Sequence, residues 1–288
     1  MILGVSGFVK GDWKNIDEIV MDKVASLGFK TLQIRISDPF STTLKDIEKI
    51  KTLYKKFDFY MPQTVGNYGG NLISENKDLR EKDIIFLKRM IDITNELESP
   101  NTYLRPGSHN INGAWKPHKN NYNEKTWDTL IESTKFVCDY AEKKDVMIAV
   151  EGGVACPVNS PKKVKDLFEK VDSKNLGLNM DPVNFIKDLD TAYKNTDLIN
   201  EFYHLIPHNI IGCHAKDFKI IEGLLPHFEE TIIGSEDSML DNDSLLKGLS
   251  KINPDAHVLI EHLADDDIPK ALAGLNNVAK RNKIIWDD

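Results

Sequence analysis

The chain has little of what marks a secreted, membrane-bound or nucleic-acid-binding protein. Its 288 residues include three cysteines, Cys138, Cys156 and Cys213, far apart and without a Cys-x-x-Cys or zinc-finger spacing. An odd set of scattered thiols predicts a reduced, cytoplasmic protein rather than a disulfide scaffold. There is no run of about 18 apolar residues, so no membrane span is expected. The opening "MILGVSGFVKGDW" lacks a basic stretch followed by a long apolar one, so no secretory signal is expected. Basic residues number 37 against 45 acidic ones, a formal charge of −8, with no concentrated basic patch. Such a surface repels polyanions, which points away from nucleic acid and towards a small-molecule partner. The first strand candidate is also not followed by Gly-x-Gly-x-x-Gly, which weakens an open dinucleotide-binding sheet.

What is present is an alternation. Strand candidates at 2–8, 31–37, 59–65, 101–107, 146–153, 176–181, 210–216 and 257–263 are short and apolar. Amphipathic helix candidates lie between and after them, at 16–27, 43–57, 78–97, 124–144, 161–171, 190–206, 243–251 and 267–281. Eight strand–helix units in this length predict a (β/α)8 TIM barrel, one domain spanning 1–288. Two long loops, 106–123 and 217–242, follow strand C-termini, where barrel active sites form.

The last four strands each carry a polar residue near the C-terminal end: Glu151, Asp181, His214 and Glu261. Side chains alternate across a strand. Met147, Ala149 and Glu151 therefore share one face, as do Ile210, Gly212 and His214, and Leu259 and Glu261. All four polar residues can then point inward in one layer at the top of the barrel. Three carboxylates in one layer repel each other and are costly to desolvate. A divalent cation resolves both problems. Three carboxylates and an imidazole form a hard, oxygen-rich set suited to Mn²⁺ first, then Mg²⁺ or Co²⁺, with Zn²⁺ tolerable. The plainer alternative is four unrelated polar strand ends.

Here the chain resembles a known family. "AVEGG", "NMDPVN", "CHAKDF" and "LIEHL" are similar to the signature of the xylose isomerase-like TIM-barrel superfamily, which includes sugar phosphate isomerases and epimerases. The His-x-Lys-Asp form of 214–217 and the Gly-containing "IIGSEDSMLD" (232–241) add to the likeness. The resemblance implies one catalytic divalent metal on Glu151, Asp181, His214 and Glu261, and it implies that Glu151 and Glu261 also act as bases on opposite faces of the substrate. The expected activity is isomerisation or epimerisation of a sugar, sugar phosphate or keto-polyol through an enediolate. A metal-dependent dehydratase of an inosose or keto-sugar is the alternative, since loss of a β-hydroxyl begins from the same enediolate. A non-catalytic subunit and the abasic-site DNA endonuclease branch rank lower. The endonucleases use three zinc ions and a further histidine ligand where this chain has Asn184, and "HFEETIIG" lacks their Asp-x-His pattern. Family members form dimers or tetramers, so a homo-oligomer is compatible with the likeness.

Other residues have two readings. Lys216 shares the parity of His214 and is placed for catalysis or for holding a hydroxyl, carboxylate or phosphate; otherwise it is a loop lysine. Asp217 either orients a ligand or begins the loop. Arg35 and Arg105, near the ends of strands two and four, suit an anionic or polyhydroxylated substrate, or else pair with structural carboxylates. Asn184 can hydrogen-bond a hydroxyl but cannot titrate. The loop after strand four predicts a lid, with Trp115 stacking on a sugar, His109 binding it and His118 supplying a general acid. The plainer reading is a loop anchored by Trp115. His262 has the opposite parity to Glu261 and is expected to face a helix, Cys213 is expected in the core, and Asp265, Asp266 and Asp267 are expected to begin the last helix.

Overall fold

The computed structural model describes residues 1–9 and 12–287. Nine parallel segments form the central sheet: β1 (Ile2–Ser6), β2 (Thr31–Leu32), β3 (Ile34–Ile36), β4 (Thr64–Gly66), β5 (Asn101–Leu104), β6 (Met147–Val150), β7 (Leu176–Met180), β8 (Ile210–Ala215) and, last in the chain, β11 (His257–Glu261). β11 pairs with both β8 and β1, so the last strand closes on the first. β2 and β3 are two parts of one strand position, separated by Gln33. The Gln33 N–H donates to the Val5 carbonyl at 2.9 Å, and the next residue, Ile34, donates to the Gln63 carbonyl at 3.3 Å. The closure therefore runs through Gln33, and the architecture is a single-domain TIM barrel.

Nine helices surround it among the described residues: α1 (Glu18–Ser26), α2 (Leu44–Lys56), α3 (Lys77–Glu96), α4 (Glu124–Lys144), α5 (Pro161–Val171), α6 (Leu189–Tyr193), α7 (Asn195–Leu205), α8 (Asn242–Ile252) and α9 (Ile268–Arg281). Their starts are written locally. Thr43 and Asp46 form a reciprocal capping box on α2, and Ser160 caps α5 ahead of a proline at its first turn. Among the described residues no helix is long and apolar enough to cross a membrane.

The outward strand residues Ile148, Val150, Leu176, Leu178, Val258 and Ile260 are buried under the helices. Inside the barrel the layer below the mouth is amide-rich. Gln33 Oε1 accepts from Ser6 Oγ at 2.6 Å, and Gln33 Nε2 donates to Gln63 Oε1 at 2.8 Å. Gln63 Nε2 donates to Asn101 Oδ1 at 2.8 Å. A linked amide network satisfies buried polar groups that an isolated amide would leave unpaired.

Three expectations change. The strand predicted at 59–65 is regular only over β4, because Pro62 has no N–H to give the ladder. The predicted helix 190–206 divides into α6 and α7 at Lys194. The predicted loop 217–242 begins with an antiparallel hairpin, β9 (Asp217–Ile221) and β10 (His227–Thr231). Asp217 anchors it: its buried carboxylate accepts from the backbone N–H groups of Phe218, Met239 and Leu240 and from Asn242 Nδ2. The three cysteines are free and buried, Cys213 on the outward face of β8.

Candidate metal centre

Glu151, Asp181, His214 and Glu261 converge at the top of the barrel, each offering one ligand atom, all within 4.8 Å of one another. Local sequence puts them there. Glu151 directly follows β6 and precedes Gly152 and Gly153. A Cβ on Gly152 would run into the Val158 carbonyl oxygen, and one on Gly153 would come within 3.0 Å of the Asn184 carbonyl oxygen. The glycine pair thus lets the chain after Glu151 pass close to the turn after β7. From that turn Asn184 Nδ2 donates to Glu151 Oε1 at 2.6 Å. Asp181 precedes the one-turn 3-10 helix Pro182–Phe185 yet makes no capping hydrogen bond to it. Its carboxylate is wholly buried and directed at the cluster, so capping does not explain it.

The charges are balanced inside the site. His214 Nδ1 lies 3.0 Å from Glu261 Oε2 and 3.3 Å from Glu151 Oε2. Lys216 Nζ lies 2.7 Å from Asp181 Oδ2 and 3.0 Å from Glu261 Oε2, with Lys216 only 4% exposed. Burial disfavours charge on His214, but Glu261 and Glu151 outweigh it and raise the imidazole to about 10. Burial raises Asp181 to about 6 against the pull of Lys216. Glu261 is held well below the usual carboxylate range, His214 and Lys216 overcoming its burial. Despite these short approaches, Glu151 Oε2, both Asp181 carboxylate oxygens, His214 Nδ1 and Glu261 Oε2 are buried without a well-formed hydrogen bond. Buried polar atoms converging without well-formed hydrogen bonds suit a divalent cation, and the carboxylate-rich set is the hard, oxygen-rich type that such ions prefer.

The family model of the xylose isomerase-like TIM barrel matches residues 21–280. The chain belongs to that family. No curated protein matches it. Solved structures share its fold at low identity. D-psicose 3-epimerase from Clostridium cellulolyticum H10, solved with D-tagatose, is 15% identical with a TM-score of 0.71 and 98% of each chain covered. The 3-keto-D-glucoside 4-epimerase from E. coli is 12% identical with a TM-score of 0.72, covering 97% of this chain and 99% of that one. A xylose isomerase-like TIM barrel protein from Mycobacterium smegmatis, in complex with magnesium, is 13% identical with a TM-score of 0.70, covering 97% and 95%.

In this xylose isomerase-like barrel the cluster opens into a cavity of about 510 Å³. Arg35, Arg105, Trp115, Asn184 and Lys216 all line it. His109 and His118 do not. His109 Nε2 pairs with Thr126 Oγ1 at 2.8 Å, and His118 Nδ1 accepts from the Asn120 N–H at 3.2 Å, capping a short turn. Both imidazoles brace the 106–123 loop from within, so the structure does not bring His118 to the cavity as a general acid or His109 as a substrate ligand. Asn184 has one N–H committed to Glu151, which makes it first a brace for that carboxylate.

His262 is the opposite correction. A positive φ of 61° breaks the strand alternation after Glu261 and turns the ring into the cavity instead of towards a helix. Its Nδ1 lies 3.1 Å from Glu230 Oε1 on the hairpin, which raises the imidazole above its ordinary value. Sequence reasoning also missed Gln33, Tyr103 and Glu230. Tyr103 stacks on His214, with ring centroids 6.3 Å apart and planes 18° from parallel. It was legible, since it shares the inward parity of Arg105. Glu230 was legible only through the hairpin pattern "DFKII-EGLLP-HFEET", two short β-prone runs around a Gly- and Pro-containing turn.

Proposed function

We propose that the protein is a divalent-metal-dependent isomerase or epimerase of a keto-sugar or related polyol. One observation carries this reading: two glutamates, Glu151 and Glu261, both approach His214 Nδ1 in a four-residue ligand cluster at the floor of a cavity sized for a small molecule. Glu151, Asp181, His214 and Glu261 would hold the ion. A bound divalent cation supplies charge stabilisation for adjacent substrate oxygens.

The protein's own groups do the rest. Glu151 or Glu261 takes the proton α to the substrate carbonyl, and the other returns one from the opposite face. Return to the same carbon inverts it; return to its neighbour exchanges aldose and ketose. Asn184 holds Glu151 with its Oε2 turned to the cluster. Lys216, 3.0 Å from Glu261, supplies a cation beside the developing oxyanion. The epimerases among the structural neighbours support a carbohydrate substrate for this chain as well.

A lyase reading is favoured by the same lysine, because a buried ammonium next to a base can stabilise the charge of a departing hydroxyl. A panel of keto-sugars in D₂O with Mn²⁺ separates the two. Deuterium entry without loss of water supports the isomerase or epimerase, loss of water supports the lyase, and neither with any sugar refutes both.

A further inference from the structure

The described part of the cavity wall from β3 to β5 carries positive charge with no negative partner. Arg35 and Arg105 both line the cavity, and neither forms an ion pair with a carboxylate among the described residues. The other charged groups at the mouth are engaged: Glu230 with His262 and Lys216, Glu229 with His227, and Lys216 with Asp181 and Glu261. Arg35 and Val65 are register partners, and Tyr103 and Arg105 share the inward parity of the neighbouring strand.

Arg105 is held by its faces rather than its edge. Its guanidinium carbon lies 5.4 Å from the Tyr68 ring centroid and 5.8 Å from that of Tyr103. Tyr68 is fixed in turn, since its hydroxyl donates to the Arg105 carbonyl at 2.9 Å. The in-plane donors are nearly unused: Nη1 reaches the Tyr68 carbonyl only at 3.5 Å, and Nε is buried with no acceptor. A stacked guanidinium whose donors have no carboxylate partner is preorganised for binding an oxyanion. Its neighbour Tyr103 stacks on His214, so the subsite and the ligand cluster flank one ring.

We propose that Arg35 and Arg105 form an oxyanion subsite, and that the substrate carries a carboxylate or phosphate monoester at the end remote from the ligand cluster. The substrate assignment rests on the function proposed above; the subsite does not. A neutral sugar would leave the two arginines of the open cavity mouth without a counter-charge, whereas an anionic one supplies it. An anionic sugar places its reacting carbons at the glutamates and its charge at the arginines.

The subsite is tested by calorimetric titration of the full chain after chelation, with inorganic phosphate and separately with malonate. Chelation removes any metal as an anion ligand, so the loss of binding in the arginine variants reports the arginine wall. The expected result is saturable binding of one equivalent of at least one anion, weakened roughly tenfold to a hundredfold in R105Q. R35Q, at an exposed residue, weakens it in the same direction, and R105K, which keeps the charge but not the fork, falls between. No saturable binding of either anion, or unchanged affinity in both R35Q and R105Q, overturns the subsite. The preferred anion then distinguishes phosphate from carboxylate. A Mn²⁺-loaded exchange assay with D-fructose, its 6-phosphate and D-fructuronate tests the substrate: an anionic sugar is expected to exceed the neutral one at least roughly tenfold in kcat/KM. A neutral sugar equal to both anionic ones overturns that assignment. If no sugar exchanges while phosphate still binds through the arginines, the proposed function fails and the subsite stands.

Discussion

The two walls of the barrel mouth differ in kind. The wall built by β6, β7, β8 and β11 ends in Glu151, Asp181, His214 and Glu261, with Lys216 inserted among them. The wall built by β3, β4 and β5 presents Arg35, Val65, Tyr103 and Arg105, with no carboxylate. On the first, each charged group is matched by an opposite charge a few ångströms away. On the second, aromatic faces hold the cation and its donors stay free. A site for bond-making needs tightly coupled charges, and a site for recognition needs unspent ones. Under the proposed function, the first wall carries the chemistry and the second selects the substrate.

The largest expected effects come from breaking the first wall. Glu151→Gln and Glu261→Gln each remove a base while keeping shape, and each is expected to lower deuterium exchange by about 10²–10⁴-fold. Full exchange in either variant would defeat the two-base mechanism. Breaking the second wall with R105Q is the next largest, the loss of anion affinity described above, and it should leave metal stoichiometry at one.

A smaller effect sharpens how the first wall is supported. Gly152→Ala forces a methyl against the Val158 carbonyl oxygen and the Phe185 ring and is expected to cost ~1–3 kcal/mol in denaturant unfolding. An unchanged midpoint would show that the turn can yield.

A separate effect lies at the bottom of the barrel, away from both walls. Burial lowers His257, the first residue of β11, from 6.5 to about 4. The folded state therefore prefers the neutral ring. Its contribution is complete above pH 6.5 and declines as the pH falls towards 4, by up to about 3 kcal/mol. His257→Leu should flatten that part of the stability–pH curve; an identical slope in wild type and variant would exclude His257 as its source.

The ligand wall was legible because strand parity is rigid. Once Ile148 and Val150 face the helices, Glu151 must face the axis, and the same logic places Asp181, His214 and Glu261. Arg105 follows from the parity of the strand preceding it. Legibility failed where backbone or tertiary contacts override period. His262 was misassigned because its left-handed φ cannot be read from a strand pattern. Glu230 was missed because the hairpin pattern shows the turn but not its place over the site, which Asp217 fixes through the distant Met239 and Leu240 amides. His109 and His118 have the composition of a catalytic lid, yet their partners Thr126 and Asn120 lie within or just beyond the same loop and hold them inward. Loop histidines carry no periodicity to say which way they face.

The central claim is that Glu151, Asp181, His214 and Glu261 form one divalent-cation site. Titrating Mn²⁺ into chelated wild type and His214→Ala by calorimetry tests it most directly. One tight equivalent in wild type, lost in the variant while its circular dichroism is retained, is the predicted result. No saturable binding in wild type, or equal binding in His214→Ala, would contradict it.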